Sequence, residues 1–316
     1  MTPSPAECRA VLAEGSKSFH FASRFLPAGR RDDAAVVYAF CRTVDDIADE
    51  GVATSQARSE LTELRAELSG QRPPRPLAAL LLSVAERRRF SPEPALHLID
   101  GVLSDLETVR IADDEALRRY CYRVAGTVGL LMCGVLGVRA HSAAPFAVDL
   151  GIAMQLTNIC RDVREDAERG RVYLPLTRLA SQGLDAQALL AGAPDREGLR
   201  IVVAELLEMA DGYYASAEDG MRFIPWRARF AILVASRVYR AIGVKLRRGG
   251  ANPWKGRTVV SPLGKLGVAL GALLRGCHPK LFGLWPTPRH PPALHRGLAG
   301  LPGTTSSELP RLPSRA

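Results

Sequence analysis

From Ala6 to about Arg275 the chain is written in Ala- and Leu-rich segments whose apolar residues recur at helical spacing, with little of the two-residue alternation that strands need. That pattern restricts the fold class to all-α. Breaks fall at Pro27-Ala-Gly29, between Ser69 and Pro76, at Ser91-Pro92-Glu-Pro94, at Ala191-Gly-Ala-Pro194 and at Gly249-Gly250-Ala-Asn-Pro253, where Pro and Gly punctuate helices. None reads as a long interdomain linker, so residues 1–285 are expected to form a single domain. No internal period indicates a solenoid. A chain of 316 residues that is 47% hydrophobic can bury a sizeable core. After Trp285 the composition turns to Pro, Gly and Ser, which cannot sustain such a core, and residues 286–316 are expected to be a disordered tail.

Charge is unevenly placed. Residues 220–316 hold seventeen Lys or Arg and one acid, Glu308, whereas residues 1–219 hold 25 basic and 32 acidic groups, a net of −7. A basic C-terminal third suits an anionic partner: a membrane surface, a polyphosphate or a nucleic acid. Nucleic acid is not expected, because the basic residues are not interleaved with a stacking or groove-reading motif. Peripheral membrane contact is expected instead. The segment Leu266-Gly-Val-Ala-Leu-Gly-Ala-Leu-Leu274, flanked by Lys265 and Arg275, reads either as an interfacial helix or as an ordinary packed one. Arg237, Arg240, Lys245 and Lys265 interrupt the best candidates for a membrane span. Six cysteines show neither CxxC nor zinc-ligand spacing, and the N-terminus lacks a signal peptide's pattern, so reduced thiols in a cytoplasmic protein are expected.

Two acidic clusters carry the chemical signal. Asp45-Asp46-Ile-Ala-Asp49 ends one apolar helical stretch, and Asn158-Ile-Cys-Arg-Asp162-Val-Arg-Glu-Asp166 ends another. Residues four apart share a helix face, so Asp45 converges with Asp49, and Asn158, Asp162 and Asp166 form one stripe. A lone DxxxD more often marks a solvated face. Here the preceding turns are too apolar to lie in water, and carboxylates at the end of a buried helix need a partner. Magnesium, with manganese as its substitute, takes one or two carboxylates and completes its shell with water and phosphate oxygens. Two such faces would hold a polyphosphate from both sides.

Neighbouring residues suit the same ligand. Arg42 and Arg161 each precede an acidic cluster, and each either grips phosphate oxygens or neutralises the adjacent aspartates. Gly15-Ser16-Lys-Ser18-Phe19 offers hydroxyls for a phosphate, or simply a helix N-cap. Gly170-Arg-Val-Tyr173-Leu-Pro175 reads as a loop closing over a ligand or as a helix terminator. Tyr120-Cys-Tyr122-Arg-Val-Ala-Gly126-Thr-Val-Gly129 lets either another helix or an elongated apolar ligand approach closely.

Taken together and in this order, Ser16-Lys-Ser-Phe19, Tyr38-Ala-Phe-Cys-Arg42 with Asp45 to Asp49, Tyr120 to Gly129, and Gln155 to Asp166 through Pro175 resemble the squalene/phytoene synthase family, most nearly its bacterial phytoene synthases. The resemblance spans roughly Cys8 to Leu274. It implies a single-domain isoprenoid synthase-type helical bundle around a deep apolar cavity. It also implies head-to-head, magnesium-dependent coupling of two prenyl diphosphates through a cyclopropylcarbinyl diphosphate, giving phytoene from twenty-carbon substrates. Carried over by position, Asp45, Asp49, Asp162 and Asp166, with Asn158, would hold the metal. Ser16, Ser18, Arg42, Arg161 and Arg257 would contact diphosphate. Phe19, Tyr38, Tyr122, Gln155, Tyr173 and Tyr239 would line the cavity or stabilise cations with their ring faces.

Phytoene and squalene synthases share all of these motifs. The phytoene reading needs no NADPH; a fifteen-carbon enzyme of the squalene branch would use the same residues. A rival of another class is a noncatalytic basic helical protein that docks on membranes, for which the acidic clusters would be mere surface.

Overall fold

In a computed structural model the described residues are 3–49, 53–256, 258–276 and 289–305, and they fold as an all-α bundle. Helices α1 (Pro5–Gly15), α2 (Lys17–Ser23), α3 (Ala28–Asp49), α4 (Thr54–Leu68), α5 (Pro76–Arg88) and α6 (Glu93–Ser104) build the first half. Helix α7 (Asp114–Cys121) runs through a π-helical turn (Tyr122–Gly126) into α8 (Thr127–Leu136). Then come α9 (Ala144–Glu168), α10 (Leu176–Ser181), α11 (Ala186–Leu190), α12 (Arg196–Gly220), α13 (Trp226–Arg248) and α14 (Pro262–Gly276).

Local chemistry explains several starts and stops. Ser4 and Glu7 form a reciprocal capping box at α1. Asp113, Asp185 and Asp195 cap α7, α11 and α12 with side-chain carboxylates, where the helix N-terminus favours negative charge. Helix α5 ends at Arg89 in the left-handed conformation, φ 60°.

Helix α9 is the central post, packed on α12, α8, the π-turn and α13. It is long and apolar enough by composition to cross a membrane, yet 78% of that stretch is buried inside the bundle, so packing accounts for its apolar character. Its close approach to the π-turn and α8 depends on missing side chains: a Cβ on Gly151 would lie 2.2 Å from the Ala125 carbonyl oxygen, and one on Gly129 2.2 Å from that of Ala147. The small residues of the Tyr120–Gly129 segment thus serve helix packing. Five cysteines, Cys8, Cys41, Cys121, Cys133 and Cys160, are buried free thiols.

One expectation needs correction. Residues 289–305 are not an unpacked tail: Leu298 is fully buried, Tyr213 and Tyr122 hydroxyls donate to the Leu294 and Pro302 carbonyls, and His290 and His295 meet buried Asp149. Low-complexity composition hid a segment held by a few polar anchors rather than by a large apolar face.

Candidate active site

Helix α3 buries Val36, Val37, Phe40 and Val44 and brings its C-terminal carboxylates to the surface. Asp45 is open to solvent, yet the protein crowded around it and the adjacent Asp49 carboxylate push its carboxyl up to about 7. The same two causes, lost hydration and the neighbouring Asp162, raise Asp166 on α9 to about 7. Each cluster is therefore a pair of carboxylates that resist joint ionisation until a cation sits between them.

The two clusters are linked by the turn that ends α9. Gly170, at φ 76°, adopts the left-handed conformation. The Gly170 amide donates to the Ala167 carbonyl and the Arg171 amide to that of Asp166, the paired bonds of a Schellman stop. This reversal aims Arg171 at the end of α3. Its Nη1 lies 2.6 Å from Asp49 Oδ1, and its Nη2 donates to the Ala48 carbonyl, while Arg169 Nη1 reaches Asp49 Oδ2 at 3.2 Å. Both arginines also lower the carboxyl of Asp166 electrostatically. The segment after Gly170 does not swing free: the Val172 amide donates to Val109 and the Leu176 amide to Ile111. Gly170–Pro175 is a helix stop and an anchored loop.

Asn158 supplies an independent sign of a ligand site. Its Nδ2 donates to Gln155 Oε1 at 3.4 Å, but its buried Oδ1 has no hydrogen-bond partner among the described residues. An orphaned buried oxygen is costly. Aligned with Asp162 and Asp166, it fits a hard cation that takes oxygen ligands.

Cationic groups frame the carboxylates. Arg161 grips Asp162 with both Nε, at 2.7 Å, and Nη2. Arg42 holds Asp46 through Nε at 3.1 Å and Nη2 at 2.6 Å, so in this state it neutralises the outer aspartate. Beside them stands an aromatic wall. Phe19 lies 5.0 Å from Tyr239 and 6.2 Å from Tyr38 by ring centroids. Tyr38 is pushed up to about 12 by burial first, then by Tyr239, with Asp45 and Asp46 adding to the rise and Arg42 opposing it, which places this wall against the first cluster. Tyr239 in turn influences Arg161 beside the second.

Other sequence expectations fare differently. The Ser16 hydroxyl accepts from the Phe19 amide as the N-cap of α2, and Ser18 is half-buried beside it. Tyr122 is fully buried with its hydroxyl on Pro302, on the side of the C-terminal segment and not among the carboxylates. Arg257 lies outside the described residues.

Sequence reasoning missed Asp105, just past α6. It accepts from the Tyr120 and Tyr173 hydroxyls, each at 3.0 Å, and those two rings stack at 4.8 Å. Burial raises its carboxyl to about 6, against the lowering effect of both tyrosines, and it interacts with Asp45, Asp49 and Arg171. Its tyrosine partners lie 15 and 68 residues away, and no local pattern pointed to it. Two surface cavities, of about 610 and 330 Å³, lie elsewhere, at the α4–α5 turn and beside Trp254; neither gathers paired carboxylates.

Carboxylate pairs on two helices, bracketed by arginines and an aromatic wall within an all-α bundle, define an isoprenoid synthase-type protein. The chain belongs to the squalene/phytoene synthase family, whose family model, described as Squalene/phytoene synthase, matches residues 12–264. A 15-cis-phytoene synthase of Paracoccus sp. is 39% identical over 301 residues, 89% of this chain and 96% of that protein. A 15-cis-phytoene synthase of Enterobacter agglomerans is 38% identical, covering 82% of this chain and 91% of that protein. Among solved structures, a ligand-bound dehydrosqualene synthase superposes with a TM-score of 0.75 at 28% identity, covering 85% of this chain and 95% of the other.

Proposed function

We propose that the chain is a phytoene-forming prenyltransferase that couples two geranylgeranyl diphosphates head to head through a cyclopropylcarbinyl diphosphate. The observation that carries this reading is the conjunction of phytoene synthase relatives matched over nearly their whole length with two carboxylate faces joined by Arg171. Dehydrosqualene and squalene synthases share the fold, and a fifteen-carbon substrate remains the second reading.

In this reading Asp45 and Asp49 on one face, and Asn158, Asp162 and Asp166 on the other, hold magnesium. The bound metal supplies Lewis-acid stabilisation of the departing diphosphate. The chain's own residues do the rest. Arg161 and Arg171, held against Asp162 and Asp49, offer guanidiniums to the charge that gathers on the diphosphate as the carbon–oxygen bond breaks. Phe19, Tyr38 and Tyr239 present ring faces that attract the allylic cation while keeping water away. The allylic carbon then bonds to the double bond of the second molecule, and loss of a proton closes the cyclopropane ring. A second ionisation and rearrangement, ending in loss of another proton, give the hydrocarbon without a reductant.

An apolar product also suggests where the enzyme works. On α14, Leu263, Leu266 and Leu270 share one face and are 82%, 61% and 61% exposed, while Ala269 packs inward. Beside the basic C-terminal third, this stripe supports peripheral contact with anionic membrane, which flotation with anionic liposomes at low salt tests.

The site assignment is tested by Asp45→Asn and Asp162→Asn, each expected to lower magnesium-dependent turnover by about a hundredfold or more. Turnover equal to wild type in both would remove it.

A further inference from the structure

Residues 289–305 reach back over the bundle and meet Asp149, a carboxylate with no solvent exposure in the second turn of α9. Three donors converge on it. Ser216 Oγ donates to Oδ2 at 2.5 Å, His290 Nε2 lies 2.8 Å from the same oxygen, and His295 Nε2 lies 2.8 Å from Oδ1. His295 Nδ1 faces the Thr304 carbonyl at 2.9 Å. A carbonyl and a carboxylate only accept, so both ring nitrogens of His295 must donate. His295 therefore bridges Asp149 Oδ1 and the Thr304 carbonyl, and His290 Nε2 donates to the other carboxylate oxygen. Burial alone would raise Asp149; the hydrogen bonds and charge from the histidines outweigh it and hold the carboxyl below its ordinary range.

A metal is the competing occupant, since these three side chains bring their ligand atoms within 4.8 Å of one another. Tetrahedral zinc with ordinary bond lengths would hold ligand atoms about 3.3 Å apart. The 2.8 Å separations are instead those of hydrogen bonds.

What the cluster fastens is connected to the site through the π-turn. The strap accepts from the Tyr122 hydroxyl at the Pro302 carbonyl, 2.7 Å, and from Arg119 at the Gly297 carbonyl, 3.1 Å, and Gly303 packs on Leu130 of α8. Tyr122 opens the π-turn, and two residues earlier Tyr120 donates to Asp105 beside Asp45 and Asp49. We infer that residues 289–305 are a latched strap, fastened by Asp149 with His290 and His295, that positions the Tyr120-bearing wall of the active site through Tyr122. Tyr122, His290 and His295 are thus positioning residues, and the inference rests on the prenyltransferase reading.

The test compares the full chain with His290→Gln/His295→Gln and with Tyr122→Phe by hydrogen exchange, steady-state kinetics and metal analysis. The double variant should expose strap amides and those of residues 114–126 to exchange, and lower kcat about tenfold with KM within about twofold. Tyr122→Phe leaves the latch intact, so it should keep the strap protected yet lose part of the same kcat; it carries the test if the double variant does not fold. Wild-type kcat in both variants would overturn the positioning role. A strap still protected in the folded double variant, or stoichiometric zinc surviving dialysis against chelator, would overturn the latch. Failure of the wild-type chain to turn over prenyl diphosphates would instead remove the underlying reading.

Discussion

Arg171 Nη1 sits 2.6 Å from Asp49 Oδ1, joining residues 122 positions apart and fastening the turn after α9 to the end of α3. Because the same guanidinium also acts on Asp166, it is the physical link between the two acidic faces. Replacing Arg171 with Gln should cut kcat/KM by about ten- to a hundredfold through lost charge stabilisation. Thermal stability should change little, within about 1 kcal/mol, because Asp49 is partly solvated and keeps Arg169. Parallel kinetics and thermal melts check both halves.

Stability should depend on pH and magnesium together. Asp45 and Asp166 have folded values near 7, above the ordinary 3.8, so the folded state disfavours their charged forms. Below about pH 4 neither group costs anything. As pH rises from there to about 7 the unfolded chain ionises more readily, and metal-free protein should lose stability. Magnesium, which requires the ionised carboxylates, should restore it, with apparent affinity rising with pH. Melting temperatures at pH 5.5 and 8, with and without magnesium, should show a much larger magnesium increment at pH 8; an equal increment would contradict the account.

Asp105→Asn removes a negative neighbour of Asp45 while leaving an oxygen for one tyrosine hydroxyl. The acid limb of the kcat/KM profile should move to lower pH, since less repulsion remains to raise Asp45. The rate at the optimum should fall about tenfold, from the loosened Tyr120 and Tyr173. A pH–rate profile of the variant reads both effects.

How much of this was written in the chain depends on how local each cause is. Asp45 with Asp49, and Asn158 with Asp162 and Asp166, are legible because helical spacing alone aligns them. The aromatic wall of Phe19, Tyr38 and Tyr239 was nameable only through motif resemblance, since three separate helices assemble it. Asp105 was invisible because its partners lie 15 and 68 residues away. Tyr120 and Tyr122 differ by two positions, and the sequence could not say which faces the site; the π-turn and the strap decide it. His290 and His295 were lost in a low-complexity reading because their meaning depends on Asp149, over 140 residues earlier.

Gly151→Ala should test the packing that holds α9 against the π-turn. Its methyl would meet the Ala125 carbonyl oxygen at 2.2 Å, with Gly126 Cα at 2.7 Å, so backbone must shift. Destabilisation of about 1–3 kcal/mol is expected, read from denaturant midpoints at unchanged m-value.

The central claim is head-to-head coupling of twenty-carbon diphosphates at the two carboxylate faces. The most direct measurement incubates purified protein and magnesium with geranylgeranyl or farnesyl diphosphate, with and without NADPH, and identifies products by mass spectrometry. Forty-carbon phytoene from geranylgeranyl diphosphate without reductant is the predicted result. Presqualene diphosphate or a thirty-carbon hydrocarbon from farnesyl diphosphate alone would contradict it and move the chain to the squalene branch.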